Sequence, residues 1–219
     1  MPSVPTIHTG KLNRLQLIAA LANYIINEKP KGGILVFLPG VQEIKQCRQA
    51  IGTVVKERVD ILPLHANLSS DEQRKVFHTN PSKWKIICST NVAEVRGTRI
   101  FSCWSSSTLQ TSITIEDIVY IIDSGKMKEV QHDPEIQLSN LAEGWISKAA
   151  GRQRRGRAGR TRPGICYKMY TRKQEKDMPD FSVPEILRVS LNNVCLSVKA
   201  ARENEDVQVF IAFSVRCGY

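Results

Sequence analysis

Gly33-Ile34-Leu35-Val36-Phe37-Leu38-Pro39-Gly40 is an apolar run closed by two residues that interrupt regular structure. A half-buried strand would alternate polar with apolar residues, so a continuous run of this length reads as a strand buried on both faces. Upstream, Leu12, Leu15, Ile18, Leu21, Ala22 and Ile25 recur at helical spacing until Lys29-Pro30 ends the pattern. Downstream, Ile44, Cys47 and Ile51 mark the inward face of a second amphipathic stretch. Further apolar strands follow at Val59–His65, Lys85–Cys88, Ile118–Ile122 and Ile165–Tyr170. Ser69 with Glu72 three residues later forms a capping box that opens a helix carrying Gln73 and Phe77. Buried strands separated by helices predict an α/β fold with a mostly parallel central sheet and helices on both faces. In such sheets ligands collect beyond the carboxyl ends of the strands.

The 219 residues leave ample material for a hydrophobic core, and a formal charge of +10 with a pI near 9.5 points to a polyanionic partner. The excess is concentrated in Arg152-Gln153-Arg154-Arg155-Gly156-Arg157-Ala158-Gly159-Arg160, where five arginines fall within nine positions. Guanidinium keeps its charge near neutral pH, and its planar fork matches phosphate geometry. Small residues between the forks suit a helix start that approaches something closely, with Arg157 and Arg160 projecting the same way. Read without context, the same run is a solvated basic face or a localisation cluster.

No apolar run is long enough to span a bilayer, and Met1–Pro5 shows no signal-peptide pattern. The six cysteines include no C-x-x-C pair, and several sit in strand-like runs. This predicts buried free thiols in a reducing compartment, cytoplasmic or nuclear, with no zinc site and no metal cluster among the four histidines.

With strands, loops and arginine run in this order, residues 11–200 resemble the second RecA-like domain of the DEAH-box (RNA helicase A type) RNA helicases. The matching blocks are Gly33–Gly40, Leu62–His65 with Gln73–Phe77, Lys85–Glu94 resumed at Thr111–Ile115, Tyr120–Lys126, Gln153–Arg160 and Pro184–Arg188. The resemblance implies the C-terminal half of an ATP-driven motor acting on single-stranded RNA or an RNA duplex, without a membrane partner. Gln153, Arg157 and Arg160 would be catalytic, facing the γ-phosphate across a cleft between two lobes. Arg154 and Arg155 would support the helix or meet acidic neighbours. Phe77, Thr114, Glu116 and Gly156 would bind nucleotide, although the family usually has Asp where this chain has Glu116. The residue-level alternative for Phe77 is a core aromatic on an amphipathic helix. Thr90, Asn91, Thr111, Ser112, Lys126 and Lys128 would contact RNA, and residues 119–141 would carry a β-hairpin wedged against a duplex. Ala66 stands where relatives often carry Ser.

The phosphate loop G-x-x-x-x-G-K-[ST] and an acidic Asp-Glu-x-His box are absent from the chain. The resemblance places both in a first RecA-like domain, present in cis in a full-length protein, which would share ATP with this chain and hold most of the Mg²⁺. By itself the chain would then be inactive as an ATPase. The competing reading is a standalone, non-catalytic basic RNA-binding module. A Rossmann-type enzyme is disfavoured because no G-x-G-x-x-G follows a strand.

The organisation is therefore a loose lead-in over 1–10, a RecA-like domain over 11–180, and over 181–219 the start of a winged-helix or helical region with an atypical tail. Within the domain, Val95–Gln110 separates two blocks that the family joins directly. The segment has a serine run, and Phe101 and Trp104 lie on neither a helical nor a strand period. Valine codons begin with GT, one glutamine codon ends with AG, and sixteen codons preserve the reading frame. We read the segment as a retained short intron, the alternative being a surface insertion. Sequencing transcripts across Glu94–Thr111 should reveal messages that lack these sixteen codons; retention in every message would refute the intron.

Overall fold

The computed structural model describes residues 13–78, 80–91, 115, 117–133, 138–159, 162–183, 195, 196 and 199. Helix α1 (Arg14–Glu28) opens at Asn13, which forms a capping box with Gln16, and it ends before Pro30 as the sequence pattern requires. Its Ile18, Ala22 and Ile25 are buried, so the helical spacing marks the core face. Strand β1 (Gly33–Phe37) follows and is buried at every position. Helix α2 (Val41–Val54) buries Ile44, Cys47 and Ile51.

Next come β2 (Val59–Leu64), the short helix α3 (Ser70–Arg74) and a 3-10 turn (Lys75–Phe77), and then β3 (Trp84–Ser89). The capping box at Ser69 and Glu72 is present, and the hydrogen bond from Ser69 holds the Glu72 carboxyl below its ordinary range. The helix it opens stops at Arg74, so Phe77 lies on the tighter turn. Strand β4 (Ile118–Asp123) is followed by β5 (Lys126–Asp133), β6 (Leu138–Trp145), α4 (Lys148–Arg155), β7 (Ile165–Lys168) and α5 (Arg172–Asp177).

Five strands form one sheet in the order β2-β3-β1-β4-β7, with every neighbouring pair parallel. The parallel sheet read from the sequence is therefore observed. Because side chains alternate across a strand, β1 sends Ile34 and Val36 to one face and Leu35 and Phe37 to the other. The first face packs on α1 and α2 through Ile18, Ala22, Ile25, Ile44 and Ile51. The second packs on Val76 of the 3-10 turn, Leu64, Ile115 and Ala158. Pro63, inside β2, lies on an edge strand, where a missing N–H is tolerated.

Strands β5 and β6 pair antiparallel as a separate two-stranded ribbon, with Lys126 opposite Trp145 and Val130 opposite Leu141. The hairpin is thus present but displaced from the expected 119–141. Residues 119–123 belong to β4 of the main sheet, and the ribbon extends to Trp145. The lead-in over 1–10, the insertion over 95–110 and most of 181–219 lie outside the described residues.

The ribbon leaves the sheet through Gly125, whose φ of 71° is left-handed. A Cβ at this position would overlap the Tyr170 ring, so backbone preference and packing both demand glycine. Gly125→Ala should lower stability by about 1–3 kcal/mol, measured by urea unfolding. Exposed Gly144 on β6, where a Cβ meets nothing within 4 Å, should tolerate alanine.

Candidate functional site

The carboxyl ends of β1, β3 and β4 bring Phe37, Thr90, Asn91 and Asp123 to one edge of the sheet, and α4 closes over them. Asp123 ends a strand of apolar residues and is itself fully buried. A buried carboxylate is costly unless paired and hydrogen-bonded. Its partner is Arg154, also fully buried, whose Nη1 donates to Asp123 Oδ1 at 2.8 Å. The Gly125 amide donates to the same oxygen at 2.9 Å, and the Tyr170 hydroxyl approaches Oδ2 at 3.4 Å. Burial first, and then the Asp123 carboxylate, push the Tyr170 pKa up, so the phenol stays protonated and able to donate.

Arg154 makes further contacts. Nη2 donates to Asn91 Oδ1 at 2.6 Å, and both terminal nitrogens lie 3.3 Å from the Lys126 carbonyl oxygen. Its guanidinium carbon sits 4.9 Å from the centre of the Phe37 ring. The sequence anticipated an acidic neighbour for Arg154, and Asp123 is that neighbour. Asp123 itself was missed as a site residue. The available signal was a lone carboxylate ending an apolar strand.

The arginine run sits at the C-terminal end of α4, a correction to the helix start expected from its small residues. Cations there complement the partial negative charge of the helix terminus. An anion held at this run would therefore depend on side chains, without help from a helix N-terminus. Gly156 caps the helix, and Gly159 turns the chain at φ 84°. A Cβ on Gly164 would come within 2.6 Å of the Gly159 nitrogen. The small residues thus serve close approach between two segments of this chain.

Gln153 is exposed on α4, as are Arg152 and Arg155. Arg157 is only 7% exposed, so its side chain lies largely covered in this domain instead of jutting from it. Phe77 is 47% exposed while Val76 beside it is buried, so the core-aromatic reading of Phe77 does not hold. Gly156 is exposed. Arg160, Thr111, Ser112, Thr114 and Glu116 lie outside the described residues.

Of the expected RNA contacts, Thr90 and Asn91 are half-buried after β3, and the Thr90 amide donates to the Leu64 carbonyl at 3.1 Å. Asn91 is engaged by Arg154. Both lysines already have partners within the domain. Lys126 Nζ lies 3.9 Å from the centre of the Trp145 ring, and Lys128 Nζ contacts Glu43 Oε1 of α2 at 2.7 Å. Glu43, Trp145 and Tyr170 had no sequence signal linking them to this edge.

The helicase conserved C-terminal domain model matches residues 16–162. The chain belongs to this family. Among curated relatives, the DExH-box ATP-dependent RNA helicase DExH6 of Arabidopsis thaliana is 40% identical over 195 residues, covering 87% of this chain and 14% of that protein. The ATP-dependent DNA/RNA helicase DHX36 of Homo sapiens is 40% identical over 192 residues, covering 86% of this chain and 18% of that protein. The crystal structure of the Escherichia coli DEAH/RHA helicase HrpB matches with a TM-score of 0.72 and 28% identity, covering 89% of this chain and 23% of that one. The DEAH-box resemblance and the RecA-like architecture are therefore established, and this helicase domain spans under a fifth of the length of these curated relatives. Among the described residues, no helix is long and apolar enough to cross a membrane.

Removing one member of a buried ion pair strands the other, which costs about 3–5 kcal/mol. Asp123→Ala should show a loss of this size in urea unfolding. The Lys83–Asp60 pair has the same 2.8 Å separation, but its side chains are 39% and 36% exposed. Asp60→Ala should therefore cost about 1 kcal/mol or less.

Proposed function

We propose that this domain is the C-terminal half of a DEAH-type, ATP-dependent RNA helicase motor, supplying arginine fingers and part of the RNA-binding surface. The reading rests chiefly on the arrangement along α4, where exposed Gln153 is flanked by a run whose Arg154 is locked to the sheet. A rigidly seated helix end can present Gln153, Arg157 and Arg160 toward a triphosphate carried by the first RecA-like domain. Charge spreads over the phosphoryl oxygens during transfer, and fixed guanidinium forks stabilise it without reorganising. Of the two members among the described residues, Gln153 faces solvent. Arg157 lies beneath the surface, and closure of the two lobes would have to draw it out.

A nucleotide would draw on further residues of the domain. Phe77, half-exposed on a short turn, would pack on the base, and the bound nucleotide would supply the transferable phosphoryl group. Thr114, Glu116 and Gly156 would complete the nucleotide contacts, with Mg²⁺ held mainly by the first domain. RNA would lie along Thr90, Asn91, Thr111 and Ser112. The side-chain charges of Lys126 and Lys128 are engaged by Trp145 and Glu43, so these lysines would position the hairpin before they contact phosphate.

Purified chain with single-stranded RNA should hydrolyse ATP no faster than buffer. Adding the first RecA-like domain of a relative should restore RNA-stimulated turnover, and Arg160→Ala should lower that turnover by about 10³-fold. RNA binding without restored turnover would favour the non-catalytic RNA-binding module.

A further inference from the structure

We propose that Arg154 is a positioning residue that joins α4, the root of the β5–β6 hairpin and the loop after β3 into one mechanical unit. Displacement of the segment bearing Gln153 and Arg157 would then be passed to the hairpin. The proposal rests on the functional reading above for which surfaces face nucleotide and RNA, but the coupling itself follows from contacts within the chain.

One guanidinium reaches two distant stretches of sequence, the loop after β3 and the short connection from β4 to β5. It contacts Asn91 beyond β3, Asp123 at the end of β4 and the Lys126 carbonyl in the first residue of the hairpin, at separations of 63, 31 and 28 residues. The Phe37 ring of β1 lies against the guanidinium and limits its freedom to swing. Asn91 Nδ2 also reaches Met127 Sδ at 3.7 Å, which ties the loop to the hairpin from its own side. On the other side of the root, the Ile146 amide donates to the Gly125 carbonyl at 3.0 Å, and Lys126 rests on Trp145.

These contacts leave little slack between α4 and β5. A planar fork with fixed donor directions can hold several acceptors at once, whereas a lysine ammonium acts as a single point charge. Burial strengthens each contact and makes partial loss costly, so the cluster moves together or breaks. Gly125 carries the link into the hairpin, its amide donating to Asp123 Oδ1 and its carbonyl accepting from the Ile146 amide.

The test is amide hydrogen exchange on the whole chain, read by mass spectrometry without RNA and then with single-stranded oligouridylate. Arg154→Lys keeps a charge for Asp123 but loses the fork. Without RNA it should raise exchange several-fold over 125–130 and 152–158 together, while α1 and α2 stay unchanged. A change confined to one of these segments, no change, or an equal rise across α1 and α2 would overturn the proposal.

Asn91→Ala removes one arm and serves if the lysine variant fails to fold. It should loosen 125–130 and 152–158 together, and an effect restricted to 88–91 would count against the link. With oligouridylate, the unaltered chain should gain protection at 152–158 as well as at its RNA-contacting segments, and Arg154→Lys should lose only the former. RNA binding with no protection at 152–158 would overturn the coupling. If oligouridylate does not bind, the RNA-facing assignment fails, and the RNA-free comparison still decides whether Arg154 links the segments.

Discussion

The ion pair between Arg154 and Asp123 is the constraint on which the functional edge depends. Neither side chain has solvent to fall back on, so each requires the other, together with the hydrogen bonds that fill their remaining valences. A buried pair of this kind need not stabilise the fold more than apolar residues would. Its contribution here is geometric. It fixes where α4 ends relative to the sheet, and therefore where Gln153 stands and how the run after it turns through Gly156 and Gly159.

The neighbouring elements show the same use of limited alternatives. Strand β1 contributes Phe37 as a floor under the guanidinium, while its alternate residues close the opposite core. Tyr170 follows β7 and places its ring against Gly125 and its hydroxyl beside Asp123. Lys128 is held by Glu43 from the first turn of α2, so the hairpin is braced against a helix as well as against the sheet. Basic residues at this edge thus divide into those that build the surface and those left to face a ligand. Net charge alone does not distinguish them.

The sheet was legible because continuous apolar runs such as Ile34–Leu38 and Ile118–Ile122 have few other uses in a chain of this kind. Capping chemistry at Ser69 and Glu72 was legible because it is local. The hairpin's bounds were less so, since Lys126 to Trp145 lacks the apolar alternation that would separate it from β4. The partners of Lys128 and Arg154 were not legible, because Glu43 and Asn91 lie 85 and 63 residues away and only the folded chain brings them close. Phe77 shows the limit at single-residue scale. A helix that tightens after Arg74 turns Val76 inward and Phe77 outward, and periodicity over so short a segment cannot tell the two apart.

Pro63 carries one more consequence. The carbonyl of Leu64 is turned toward β3, where it accepts from Thr90, so alternation along the strand turns the backbone of Pro63 outward. The outer margin of the sheet therefore lacks a donor near its middle, where an intruding chain would otherwise add a sixth strand. Such a gap gives the sheet a built-in resistance to self-templated aggregation, whatever surface concentrates copies of the chain.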